Sequence, residues 1–197
     1  MGLMKLAQRK ILMDLEPHPH RDMEIISVPL KGALSHKDSM ENKRSIEVGE
    51  VQVMSTGTGL THSEFNDSQT DDVNFLQLWI IPEAQGVEPN YEQKEFDVNE
   101  RHNKFQIVVS PQDKLVAGSL GIHQQGSLHL GNFTANSETS HSIDTGKGTY
   151  IFLIEGSIEV NGEKLNERDA LGIWDTNTIN TKALTDSEIL LIDVPMN

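Results

Sequence analysis

Apolar and polar residues alternate along this chain in short runs, cut again and again by Gly, Pro and Asn. Runs of that kind read as β-strands with one face buried, and their regular spacing predicts an all-β fold. In the first half the strand candidates are residues 24–30, 33–37, 51–54 and 75–81. Pro29 weakens the far end of the first, because it has no N–H for the ladder. In the second half they are residues 127–134, 149–155, 157–160, 170–174 and 188–194, and Asn161-Gly162 marks a tight hairpin. Residues 82–104 are polar and read as a connecting segment, too long to be wholly without structure. Near the start, Leu6, Ile11, Leu12 and Leu15 suggest a short amphipathic helix over residues 1–16, with a stripe blurred by Leu3 and Met13.

Leu153-Ile-Glu-Gly-Ser157 corresponds in style to Val28-Pro-Leu-Lys-Gly-Ala33, so the two halves read as a degenerate internal duplication. Closing each half into a barrel would also remove exposed sheet edges.

The chemistry lies in two stretches. Side chains on a strand return to the same face every two residues. His18, His20 and Glu24 therefore share one face, and His62 and Glu64 another. If the two strands face each other, imidazoles and carboxylate converge as ligands for a divalent transition metal. Parity points both Glu24 and Glu64 inward and does not choose between them. Gly57 and Gly59 give the backbone freedom just before His62. Gln77 and Trp79 share a face of the most apolar strand, and the indole reads as core or pocket wall. His123, His129 and His141 stand alone in sequence and read as surface or structural histidines.

The 197 residues suffice for one large domain or two small ones. A net charge of −14 argues against nucleic acid and anionic membrane surfaces as partners. The absence of cysteine removes disulfides, iron–sulfur clusters and thiolate metal sites. No apolar run approaches the ~18 residues of a membrane span, the start lacks a signal-peptide core, and Leu6 stands where a myristoylation signal wants Ser or Thr. The expected setting is cytoplasmic.

Several stretches carry a resemblance. The His18, His20, Glu24 and Gly32 spacing follows the first cupin motif, and Gly59-x-x-His62-x-x-x-Asn66 the end of the second. His18-Pro-His-Arg-Asp-Met-Glu24, Gly32-Ala-Leu-Ser-His-Lys-Asp-Ser39, Gly57-Thr-Gly-Leu-Thr-His-Ser-Glu64, Leu76-Gln-Leu-Trp-Ile-Ile-Pro82 and Glu88-Pro-Asn-Tyr-Glu-Gln93 resemble the pirin family. Within it they are most similar to the bacterial pirin-like quercetin 2,3-dioxygenases. The resemblance covers residues 17–197 and is dense through residue 93.

That resemblance implies a bicupin. Residues 1–104 would form the metal-binding cupin with its connecting segment, and residues 105–197 a degenerate cupin without metal. It implies His18, His20, His62 and Glu64 as metal ligands, with Glu64 also the candidate catalytic base and Glu24 orienting an imidazole. The cofactor would be one divalent transition metal, Fe(II) first, with Mn, Ni, Cu and Zn also suited to the donor set. The implied reaction opens the central ring of a flavonol such as quercetin with O2. A second reading is a non-catalytic, metal-binding regulator acting through protein partners, and a third is a cupin enzyme for another small molecule. Family members carry further strands before His-x-His, so the first barrel is expected to show an open edge, covered by self-association into a homo-oligomer.

Overall fold

The computed structural model describes residues 4–11 and 15–196, and they form strands and two short 3-10 turns. No helix among them is long and apolar enough to cross a membrane. The chain divides into two compact units, residues 1–96 with 120–124, and residues 97–119 with 125–197.

The first unit holds β1 (Met4–Ile11), β2 (Leu15–His20), β3 (Glu24–Lys31), β4 (Ala33–Asp38), β5 (Lys43–Glu47), β6 (Glu50–Ser55), β7 (Leu60–Asn66), β8 (Val73–Ile80) and β9 (Asn90–Glu95). One sheet runs β1-β8-β3-β6-β9 and the other β2-β7-β4-β5. Alternation turns one face of each sheet inward, where Leu34 and Ile46 of the second sheet meet Val73 and Phe75 of the first. A second cluster joins Ile25, Met54 and Leu60. Burying such a side chain contributes about 1.5–3 kcal/mol relative to leaving it exposed.

The chain continues through β10 (Phe105–Pro111) and β11 (Leu120–Ile122). β11 belongs to the first unit, where the Glu83 N–H donates to the His123 carbonyl at 2.7 Å. The second unit then adds β12 (Ser127–Phe133), β13 (Glu138–Ser142), β14 (Lys147–Glu155), β15 (Ser157–Val160), β16 (Glu163–Asn166), β17 (Ala170–Ile173), β18 (Thr178–Ala183) and β19 (Ser187–Pro195).

The topology shows the duplication. The order β1-β8-β3-β6 recurs as β12-β19-β14-β17, and β2-β7-β4-β5 recurs as β13-β18-β15-β16. Details of register recur as well. The β3–β8 ladder slips between Pro29 and Lys31, and the β14–β19 ladder between Leu153 and Glu155. The chain then crosses from one sheet to the other through Gly32 and Gly156, with φ of +71° and +95°. A Cβ on Gly32 would lie 2.9 Å from the Asp72 carbonyl oxygen, and one on Gly156 would strike that of Asp186.

Two expectations change. The start of the chain is strand, not helix: β1 pairs with β8 in antiparallel register from Met4↔Ile80 to Ile11↔Val73. Cross-strand pairing overrides a weak helical stripe, and Leu3, Leu12 and Met13 of that stripe lie outside the described residues. The open edge expected of the first barrel is not found at β8, along which β1 pairs. The connecting segment contains β9, paired with β6, and a 3-10 turn at Val98–Arg101 capped by Asp97, which accepts from the Asn99 N–H. The Asn161-Gly162 hairpin joins β15 and β16 with both residues at positive φ, +48° and +91°.

Gly156 and Gly162 have nearly the same φ, but only Gly156 is crowded; nothing lies within 4 Å of a Cβ on Gly162. Gly162→Ala should lose about 1 kcal/mol through backbone strain alone, and Gly156→Ala about 2 kcal/mol or more. Urea denaturation of the two variants measures the difference.

Candidate metal centre

The centre is built on three adjacent strands of the smaller sheet of the first unit, β2, β7 and β4. In register, His18 stands opposite His62, and His62 opposite Asp38. Two residues further along β7, Glu64 stands opposite His36 of β4 and Leu15 of β2. A slip between Leu15 and His18 sets this register. His20 lies two residues beyond His18, so all six polar side chains share one sheet face.

Loops on either side hold the strands in place. The Asp22 N–H donates to the Gly57 carbonyl at 3.0 Å, and the Thr56 N–H to that of Met23 at 2.9 Å. The Met23 N–H donates to the Thr56 hydroxyl at 2.9 Å. Gly57 makes the close approach possible, since its φ is +42° and a Cβ there would strike the Val87 carbonyl.

The imidazole rings crowd together. Ring centres lie 4.5 Å apart for His18 and His62, 4.9 Å for His18 and His20, and 5.0 Å for His20 and His62. Ligand atoms of His18, His20 and His62 fall within 4.8 Å of one another, and so do those of His36, His62 and Glu64. His62 is therefore common to two triads. It is 2% exposed, and both its ring nitrogens are buried without a hydrogen-bonding partner. Burial, reinforced by the neighbouring His18, His36 and His20, pushes its pKa down to about 3. The ring is neutral at ordinary pH, as a metal ligand must be.

Neighbours set the other rings. His18 Nδ1 lies 2.8 Å from the Glu16 carbonyl. A carbonyl only accepts, so Nδ1 carries the proton and Nε2 the lone pair. His36 Nε2 lies 3.0 Å from Asp38 Oδ2. Burial pushes the Asp38 carboxyl up, but donors from His36, Asn42 and Met40 outweigh it and hold it below its usual range. His36 then donates through Nε2 and keeps its lone pair on Nδ1, which is buried without a partner. Burial also holds the His36 ring below its ordinary pKa, against the pull of Asp38.

Glu64 is gripped by Gln77, whose Nε2 lies 2.7 and 3.0 Å from the two carboxylate oxygens. The Gln77 amide is oriented in turn by Trp79, whose indole N–H donates to Gln77 Oε1 at 3.2 Å. An indole only donates, so this contact turns the amide nitrogen toward Glu64. The Trp79 ring also meets His20 edge-on at 5.0 Å. An open cleft of about 470 Å³ begins at His20 and is lined by Pro19, Arg21, Ser39, Leu60 and Thr61.

Three sequence expectations need correction. Glu24 does not share the face of His18 and His20. The chain turns at Asp22, with φ +49°, and Glu24 opens β3 in the other sheet. There it accepts from Ser55 at 2.7 Å and lies 3.3 Å from His123 Nδ1. Nor do the later histidines stand alone: His123 joins Glu24, while His129 and His141 both meet Asp193. Third, His36 of Gly32-Ala-Leu-Ser-His-Lys-Asp-Ser39, which no ligand spacing singles out, joins the cluster beside His62 and Glu64. The duplicate does not repeat the donor set. His141 stands opposite Ile179 as His18 stands opposite His62, and Val160 opposite Thr181 as His36 stands opposite Glu64. Ile179 and Val160 belong to the apolar core of the second unit.

Two duplicated β units, one of them holding a histidine-rich centre with an acidic partner, define a bicupin. The profile described as Pirin matches residues 2–80, and that described as Quercetinase C-terminal cupin domain matches residues 107–194. A protein of Escherichia coli (strain K12) named quercetin 2,3-dioxygenase is 40% identical over 178 residues, 90% of this chain and 75% of that protein. A pirin-like protein of Caulobacter vibrioides is 36% identical over 177 residues, 90% of this chain and 75% of that one. The crystal structure of YhhW from Escherichia coli has a TM-score of 0.90 at 38% identity, covering 96% of this chain and 80% of that one. A further structure of the same bacterial pirin is a complex with nickel(II), with a TM-score of 0.89 at 37% identity, covering 96% and 81% of the two chains. The chain belongs to the pirin family.

The shifted His62 has a consequence for the metal-free protein. Its folded pKa of about 3 lies below the unfolded value of about 6.5, so the unfolded chain binds the proton more tightly. The stability held by the neutral ring is complete above pH 6.5 and falls as pH drops toward 3. Between pH 7 and pH 5 this one group should cost about 2 kcal/mol. Urea midpoints in chelator at the two pH values should show a smaller loss for His62→Gln.

Proposed function

We propose that this protein is a metal-dependent dioxygenase that opens the central ring of a flavonol such as quercetin with O2. The observation that carries the proposal is His62, buried and neutral with two unpartnered nitrogens, in a cluster of imidazoles with His18 and His20. The donor set fits a divalent first-row metal, with His18, His20, His62 and Glu64 as its holders. Fe(II) is the first choice for O2 chemistry, and Mn, Ni, Cu and Zn suit the same donors. The nickel(II) of the Escherichia coli relative supports a first-row ion.

When bound, the metal supplies Lewis acidity, which lowers the pKa of a coordinated hydroxyl. The chain supplies position and proton transfer. The Glu16 carbonyl keeps the His18 lone pair on Nε2, and Asp38 does the corresponding work for His36. Glu64 takes the proton of the flavonol 3-hydroxyl, and Gln77 steadies its carboxylate through both oxygens. Trp79 fixes Gln77 and forms an apolar wall beside His20.

The test is metal analysis followed by O2 consumption with quercetin for protein loaded with each metal in turn. Failure of every loaded form to consume O2 with quercetin would overturn the proposal. His18→Ala, His20→Ala and His62→Ala should each weaken metal binding at least ~10-fold, and His36→Ala by less.

The two glutamates separate in the same assay. Glu64→Gln keeps the shape but cannot take up the proton, so it should retain part of the metal and lose turnover by about 10²-fold or more. Glu24→Gln should keep both its metal and most of its activity, because Glu24 lies with Ser55 and His123. Loss of activity in Glu24→Gln with full activity in Glu64→Gln would reverse the assignment.

A further inference from the structure

We propose that His129, His141 and Asp193 of the second unit form a separate binding site for a divalent first-row metal ion such as zinc. The three residues come from β12, β13 and β19. His141 Nε2 lies 3.0 Å and His129 Nε2 3.3 Å from the same oxygen, Asp193 Oδ2. The two rings are 5.0 Å apart between centres and nearly perpendicular. Donor atoms around a tetrahedral zinc, at about 2.0–2.2 Å from the ion, are themselves separated by roughly 3.3 Å. These three already form the corner of such a polyhedron.

The surroundings fit a bound cation. The carboxylate is held by the Thr149 hydroxyl on Oδ1 at 2.6 Å and by the Ser127 hydroxyl on Oδ2 at 3.2 Å. Burial pushes the Asp193 carboxyl up, but its donors overcome that and hold it well below the usual range, so it is ionised. Among the described residues its ion-pair partners are the two histidines, with no Lys or Arg. The imidazoles keep 14% and 12% of their surface in solvent, enough for an ion to enter. Two imidazoles and one carboxylate match the protein ligands of many open zinc sites and leave a position for water.

The site is no remnant of the first centre. Only His141 stands at a duplicated ligand position, that of His18. In the paired ladders His129 stands opposite Leu191 where Ala7 stands opposite Gln77, and Asp193 opposite Thr149 where Trp79 stands opposite Ile25. Neither Ala7 nor Trp79 offers a ligand, so the second set was assembled on its own.

Cobalt(II) is the probe, because its visible absorption reports imidazole ligation, with zinc(II) titrations beside it. Full-length protein carrying His18→Ala and His62→Ala removes the first centre from the measurement. It should still bind one equivalent of cobalt(II) and melt at a higher temperature with the metal than without. Adding His129→Gln or His141→Gln should lower the affinity at least ~10-fold, and Thr149→Val by about 10-fold. In otherwise unaltered protein the same two glutamine variants should lower the total from two equivalents to one, so failure of this site is distinguishable from failure of the first. For the unaltered protein, zinc(II) should protect His129 and His141 from diethyl pyrocarbonate, as mapped by mass spectrometry; this control does not depend on a variant folding. Absence of cobalt binding in the His18→Ala/His62→Ala protein, binding that survives both glutamine changes, or a lack of protection would each overturn the proposal and leave the histidines as hydrogen-bond donors to Asp193.

Discussion

The register of β2 on β7 and of β7 on β4 is the constraint on which the first unit depends. It sets His18 against His62 and His36 against Glu64. A slip of one residue in any of these ladders would turn its donors from the inner face to the outer one. The paired apolar residues oppose such a slip. Leu34 and Ile46 would leave the Val73 and Phe75 cluster if β4 and β5 moved by one position. The Asp22–Gly57 and Met23–Thr56 contacts fix the end of β2 against the start of β7. Core packing and ligand geometry are thus the same degree of freedom. This is how strand pairing alone holds the polar side chains in place, with no α-helix among the described residues.

Holding them there is unfavourable for folding. An unsatisfied buried polar group costs about 1–3 kcal/mol, and His62 presents two such nitrogens while His36 presents one. Close by, Glu64, Asp38 and Glu16 all have their partners placed. Ser27 Oγ and Gln52 Nε2 of the same unit are also buried without a partner, but in the cluster the unpartnered atoms are imidazole nitrogens grouped together, and natural proteins break local rules mainly at such sites. The Trp79–Gln77–Glu64 series extends the logic outward. Each group has a single hydrogen-bonding role that fits the next, so the carboxylate is aimed by residues that never need to touch the reacting atoms.

Most strands were legible because alternation and glycine punctuation are local signals. β3, β4, β6, β8, β12, β14, β15, β17 and β19 appear within a few residues of where the pattern puts them. β1, β5, β9, β10, β11, β13, β16 and β18 were missed or misread. β9 and β13 are polar strands whose pairing partners, β6 and β18, are what make them strands. The same division holds for the sites. The gathering of His18, His20 and His62 could be expected from spacing and a family pattern; parity put Gln77 and Trp79 on one face but announced no role for Gln77 beside Glu64. Glu24 was misplaced because strand parity assumes an unbroken strand, and Asp22 breaks it. The grouping of His129 and His141 on Asp193 could not be read, since it joins residues 52 or more positions apart and no short motif announces it.

The two copies show how one scaffold disposes of a ligand site. Ile179 and Val160 fill with hydrocarbon the places that His62 and His36 occupy in the first unit, which removes the cost of unpartnered imidazoles there. That exchange leaves His141, the counterpart of His18, without the neighbours it would need. Asp193 stands where the first copy has Trp79, on the strand that borders the same inner space. An indole at that position walls His20 and steers Gln77; a carboxylate there attracts an imidazole instead. The difference at this one position goes with the different partner of the remaining histidine, and His129 on the adjacent strand meets the same carboxylate. Both groupings of side chains rest on the same register, because duplicated ladders present the same positions inward whatever residues fill them.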